Sequence, residues 1–239
     1  MKRLEILLHV DASNNIDDLK EIGHLLQLRK LGVILDGKKH SGLARLFQQI
    51  KKLHSCLHSL SIQINQLVPG KGPDPKTMQM LDLVSPPKFL QSLNISGITI
   101  GLDWISKLDQ LTKLTLSKTY LGEDVIRVLG KLRILCCLRL RRKSYTGTEL
   151  NFNTEEFLNL NIDFVNIGAA PKLEMIVWSF AFIDHNLPVS RAAHLPKLKK
   201  LELNGDGDMD RMRQEMEAHP NRPVFTHNPS HQRQDAGTS

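Results

Sequence analysis

LDQLTKLTLSKTYL, residues 108–121, carries a leucine spacing that specifies a short strand with one packed side. Leu108, Leu111, Leu114 and Leu116 follow the spacing L-x-x-L-x-x-L-x-L, and Leu121 closes the stretch. Leu114 and Leu116 are two apart, so on a short strand both point to one side. Lys113, Thr115 and Ser117 then point to the other side. One side is made for packing, and the other is left to solvent or to a partner.

The same pattern recurs along the chain. The residue equivalent to Leu114 falls at Leu7, Leu31, Leu60, Leu93, Leu114, Leu138, Leu160, Ile176 and Leu201. The successive steps are 24, 29, 33, 21, 24, 22, 16 and 25 residues. Most match the period of leucine-rich repeats. The step of 33 contains an insertion, and the step of 16 makes Leu160 the least regular register. Each unit offers about three inward side chains, worth roughly 1.5–3 kcal/mol each when fully buried. One unit cannot bury them alone, whereas stacking makes a continuous core. The expected fold class is α/β: a leucine-rich-repeat solenoid, curved as a horseshoe. Parallel strands line its concave face, with short helices and loops on the convex face.

The segments between strands agree with this plan. Residues 15–26 place Asp17 and Asp18 where a helical first turn favours them. Residues 41–53, SGLARLFQQIKKL, repeat Leu43, Leu46, Phe47, Ile50 and Leu53 with helical period, and Ser41 can cap the start. VPGKGPDP, residues 68–75, reads as a loop, and Pro86–Pro87 forbids helix before the next strand. Residues 122–131 read as a short helix with Val125, Ile126 and Leu129 inward. The array is expected to span residues 1–204. A capping helix over 205–219 and a disordered tail over 220–239 follow.

Composition limits the class of protein. The 239 residues are 41% hydrophobic and 24% charged, a globular balance, with aromatics only 5%, so leucine must supply the core. The net charge of +7 is spread along the chain and is no nucleic-acid signature. No apolar run approaches a membrane span. The three cysteines, Cys56, Cys136 and Cys137, form no disulfide framework and point to a reducing compartment. MKRLEILLHV, residues 1–10, mimics a signal peptide, but Glu5 and His9 interrupt it and no small-x-small cleavage site follows. It is read as a repeat strand.

Chemistry-bearing constellations are weak. PGKGPDPKT lacks the G-x-x-x-x-G-K-[ST] spacing that cradles phosphate. Asp206, Asp208, Asp210 and Glu217 match positions of a calcium loop, yet Arg211 stands where glycine is needed. An acidic helix start accounts for the same residues. His54, Cys56 and His58 form H-x-C-x-H without an evident fourth ligand. Cys136 and Cys137 read as packing. Asn94-Ile95-Ser96 is a glycosylation sequon on an expected strand, and is expected to stay unmodified. No triad can be assembled, so no catalytic residue, metal or cofactor is assigned.

Function is therefore left to the outward strand positions. Early ones are Lys30, Gly32 and Ile34; Ser59, Ser61 and Gln63; Ser92, Asn94 and Ser96. The chosen protein-binding set is Lys113, Thr115, Ser117, Arg139, Arg141, Asn161, Lys200 and Glu202. Arg139 and Arg141 lead it, because arginine is enriched at binding hot spots.

With these residues in view, the chain resembles the C-terminal region of plant nucleotide-binding leucine-rich-repeat disease-resistance proteins. The carriers are LLQLRKLGV (25–33), LSKTYLGEDVIRVLGKLRILCCLRL (116–140), GAAPKLEMIVW (168–178) and HLPKLKKLEL (194–203). EAHPNRP (217–223) is similar to the C-terminus of grass members. The resemblance covers about residues 1–225. Neither the family's coiled coil nor its nucleotide-binding module is matched, and its nucleotide chemistry does not carry over. Because Met1 begins inside the array, a fragment or a repeat-only relative is expected.

The resemblance implies a cytoplasmic, non-enzymatic sensor of plant innate immunity. Its partners would be a pathogen effector, a host protein, or the nucleotide-binding module of an immune receptor. No nucleic-acid partner is expected. The alternative is an adaptor of another class, such as a ubiquitin-ligase substrate receptor, although no F-box-like segment is visible. An extracellular receptor ectodomain would need paired cap cysteines and an export signal.

Overall fold

In the computed structural model, the described residues are 4–38, 41–65, 85–98, 102–122, 128–129, 132–147, 150–151, 170–183, 189–190, 192, 195–207 and 209–229. The chain divides into two compact units, Met1–Tyr120 and Leu121–Ser239.

The first unit is built on five strands: β1 Ile6–Asp11, β2 Lys30–Asp36, β3 Ser59–Asn65, β4 Ser92–Ser96 and β5 Lys113–Ser117. They are parallel and adjacent in chain order. Leu7, Leu31, Leu60, Leu93 and Leu114 form one rung of partners. Val33, Ile62, Ile95 and Leu116 form the next. From Leu31 onward these side chains are essentially fully buried, as the two-residue spacing requires. The backbone fixes the register in the same way at each step. A single carbonyl before one strand accepts two N–H groups at the start of the next. Arg29 and Lys30 donate to Glu5, His58 and Ser59 to Arg29, Gln91 and Ser92 to His58, and Thr112 and Lys113 to Gln91. Parallel pairing at constant register thus places every outward residue beside its equivalent.

Helices back this ladder. Helix α1, Ser41–Lys52, buries Leu43, Leu46, Phe47 and Ile50 along one stripe, as its period predicts. Phe47 meets Trp104 of α2, Leu102–Ser106, edge to face with ring centroids 5.3 Å apart. Before β2 the chain makes two 3-10 turns, Ile16–Leu19 and Ile22–His24. The Asn15 side chain caps the first by accepting from the Asp17 N–H at 3.1 Å. After β4, Gly97 (φ +83°) turns the chain; a Cβ there would run into the Ile64 carbonyl oxygen. A residue with a side chain cannot take that turn unstrained.

The second unit holds β6 Cys137–Arg141, β7 Leu150–Asn151, β8 Met175–Ile183, β9 Val189–Ser190, β10 Lys200–Gly207 and β11 Val224–Asn228, with α3 at Asp210–Ala218. Strands β6, β8, β10 and β11 are successive parallel neighbours, and β7 pairs with β9 apart from them. Leu138, Ile176, Leu201 and Phe225 form the rung equivalent to Leu114. Trp178 is 1% exposed and packs edge to face against Tyr145 and Phe180.

Three expectations change here. First, β6 pairs directly with β8, at Leu138↔Ile176. The steps of 22 and 16 are one interval of 38, from Leu138 to Ile176. Leu160 itself lies outside the described residues, as do Val125 and Ile126; Val128 and Leu129 are helical and buried. Second, residues 205–207 are strand, not the start of a helix. Asp206 pairs with Phe182, and Gly205 supplies the room that the Phe180 ring occupies. Helix α3 begins only at Asp210 and buries Met212 and Met216. Third, the expected disordered tail contains β11, in continuous register from Lys200↔Val224 to Asn204↔Asn228. Edge pairing to an existing template forms a strand without leucines, because the partner supplies the order.

Candidate functional site

The outward residues of β3, β4 and β5 are polar and, apart from Lys113, uncharged. Ser59, Ser92 and Lys113 share a row, as do Ser61, Asn94 and Thr115, and Gln63, Ser96 and Ser117. Lys113 is exposed, while Thr115 and Ser117 are half-buried. The Asn94 amide donates to Ser61 Oγ at 3.0 Å, so the sequon asparagine belongs to a cross-strand hydrogen bond. Gly32, expected outward, is buried: the β1 backbone bulges between Leu7 and Val10, and a Cβ on Gly32 would stand 3.3 Å from the His9 nitrogen.

The second unit is charged instead. Cys137, Met175 and Lys200 share one row; Arg139, Val177 and Glu202 share the next. Lys200 Nζ lies 2.8 Å from Glu202 Oε2, and Asn204 Nδ2 donates to Glu202 Oε1 at 3.3 Å. The Lys200 hydrogen bond chiefly holds the Glu202 carboxyl below its usual pKa, with Asn204 and the Arg141 charge adding to it against partial burial. Both oxygens of Glu202 are thus engaged by their own strand. Val177 is 7% exposed, so it lies flush between charged neighbours. Cys137 Sγ sits 3.8 Å from Met175 Sδ. Arg141, Arg142 and Lys143 are exposed, and Arg139 is half-buried. Asn161, with Asn159 and Asp163, lies outside the described residues.

The other candidate motifs are used locally. His58 Nδ1 is 2.7 Å from the Cys56 carbonyl, and the His58 ring stacks on Phe89. Cys56 Sγ donates to the Leu53 carbonyl at 3.4 Å, and burial pushes its thiol pKa up, which disfavours the reactive thiolate. Among the described residues, no three His, Cys, Asp or Glu side chains converge as a metal site. A cleft of about 390 Å³, overlooked in the sequence, lies between α3 and β11. Arg213, Met216, Glu217, Arg222, Pro223 and Phe225 line it, and the Arg213 guanidinium stands 5.6 Å from the Phe225 ring centroid. Its visibility depends on β11, which leucine spacing does not announce.

Parallel strands at the repeat interval, with an inward leucine rung and an open outward face, define a class of repeat protein. Residues 1–225 match the family described as leucine-rich repeat region, and the chain belongs to that family. No curated protein matches the chain. Regions of this kind are protein-interaction modules. No helix among the described residues is long and apolar enough to cross a membrane.

Proposed function

We propose that this chain is a cytoplasmic recognition module of plant innate immunity that binds a pathogen-derived or regulatory host protein through its outward strand face. The observation behind the reading is the register itself. Equivalent positions of successive repeats stand side by side, so Lys113, Thr115 and Ser117, and separately Arg139, Arg141, Lys200 and Glu202, are continuous surface. The rigid buried rung spends its sequence on packing and leaves these positions free to vary. The plant-immunity assignment rests on the resemblance of residues 25–33, 116–140, 168–178 and 194–203 to plant disease-resistance proteins. Binding, not turnover, is the expected activity.

The test is co-immunoprecipitation from plant leaf cells, with the chain expressed beside a panel of pathogen effectors and nucleotide-binding modules of immune receptors. Capture of one panel member is expected. Thr115→Arg with Ser117→Arg, or Arg139→Glu with Arg141→Glu, should abolish it, while Lys51→Glu on α1 should not. Capture indifferent to both face pairs, or none from the whole panel, would refute the proposal. A fluorescent fusion confined to another compartment would refute the cytoplasmic part.

A further inference from the structure

The charge on the second unit's face is unbalanced at one place, and that place has a partner chemistry. Arg139 and Arg141 both project outward from β6, and Arg142 and Lys143 follow them at its end. Among the described residues, no carboxylate forms an ion pair with Arg139, Arg142 or Lys143. Glu202 is the acidic group on the neighbouring rows, and Lys200 and Asn204 already hold its two oxygens. Arg141 reaches Glu202 only through space. Between the arginines and the Lys200–Glu202 pair lie Met175 and Val177, uncharged and apolar.

We infer that the β6–β8 face binds an acidic peptide segment of a partner protein, one that sets carboxylates on Arg139 and Arg141 and an apolar side chain on Met175 and Val177. This rests on the protein-recognition reading above and names the chemistry that the face selects. Two strand residues apart, the arginine Cα atoms are about 6.6 Å from each other. That separation suits two carboxylates at alternate positions of an extended segment. A guanidinium binds carboxylate through paired, directional hydrogen bonds, so both sites select geometry as well as charge. Arginines beside a flush apolar centre form the arrangement that concentrates binding energy. Nucleic acid suits this surface less well. The outward positions in register across β6, β8 and β10 include no aromatic ring for base stacking, and the Glu202 carboxylate repels phosphate.

The probe is a fluorescein-labelled peptide of about twelve residues with a central Glu-Leu-Glu, read by anisotropy with the full chain. Its companions are the Gln-Leu-Gln peptide and labelled oligothymidine of equal length. The acidic peptide should bind about tenfold tighter than the glutamine peptide and weaken as salt rises from about 50 to about 200 mM. Arg139→Glu with Arg141→Glu should remove that preference. Lys51→Glu with Lys107→Glu, an equal charge change outside the face, should preserve it. Arg139→Lys with Arg141→Lys keeps the charge but not the fork and should lose about half of the preference in logarithmic terms.

Equal binding of the two peptides would overturn the inference. So would equal loss in both reversal pairs, because attraction would then follow net charge alone, or tighter binding of oligothymidine. Circular dichroism of each variant separates lost binding from lost folding. Should the peptides fail while a captured protein still depends on Thr115 and Ser117, the acidic-segment inference falls and the recognition reading stands.

Discussion

Leu114→Ala tests the division between packing and free positions on β5. Leu114 is 0% exposed, partnered in register with Leu93. Truncation removes about three carbon groups, at about 0.8 kcal/mol each by transfer alone. The rung is held by β4 and by the hydrogen bonds of Thr112 and Lys113 to the Gln91 carbonyl, so the gap cannot close freely. A cavity cost adds to the transfer cost, which places the total at about 2–5 kcal/mol. In a chain of this length, 1 kcal/mol moves the midpoint by roughly 2–4 °C. A fall of about 5–15 °C is therefore expected in calorimetry. Thr115→Ala, on the next residue but the other face, should move it by less than about 2 °C. Equal shifts in the two variants would refute the assignment of inward and outward sides.

Three further outcomes follow from the same geometry. Gly97→Ala should lower the melting midpoint more than an exposed substitution such as Lys51→Ala, because φ +83° and the Ile64 carbonyl both oppose a Cβ; an unchanged midpoint would contradict that turn. Glu202→Gln should release Lys200 and strengthen acidic-peptide binding about two- to fivefold in the anisotropy assay, the scale of one partly exposed ion pair. Glu215 bears on pH. Burial chiefly raises its pKa above 4.5, against the Ala192 backbone hydrogen bond and the nearby Arg211 and His219 charges. The folded chain then holds its proton to higher pH than the unfolded chain, so stability falls as pH rises from 4.5 through the folded pKa. Glu215→Gln should raise the midpoint at pH 7 and flatten that slope, as melting curves across the window would register.

The inward rungs were legible in the sequence because burial of leucine at a fixed spacing is a local, repetitive demand. Leu31, Leu60, Leu93 and Leu114, then Leu138, Ile176 and Leu201, can be read off without a structure, and each lies on its strand rung. The outward register follows, since alternate residues must face the other way. Helix α1 was legible for the same reason: its apolar stripe has one period throughout.

Leucine spacing carries the repeat, its inward side and the residues left free. Which strands become neighbours, as β6 and β8 do, and that β11 joins β10, depends on long-range pairing. Spacing alone does not reveal that β6 and β8 are direct neighbours across an interval of 38 residues, from Leu138 to Ile176. Nothing in VFTHN, residues 224–228, announces a repeat; the open edge of β10 makes it a strand. Charge obeys the same rule. Lys200 and Glu202 look as available in the sequence as Arg139 and Arg141, yet the fold pairs the first two and leaves Arg139 without a carboxylate partner among the described residues. Spacing specifies what a side chain must avoid, namely water or the core. Only the neighbouring strand specifies what it meets.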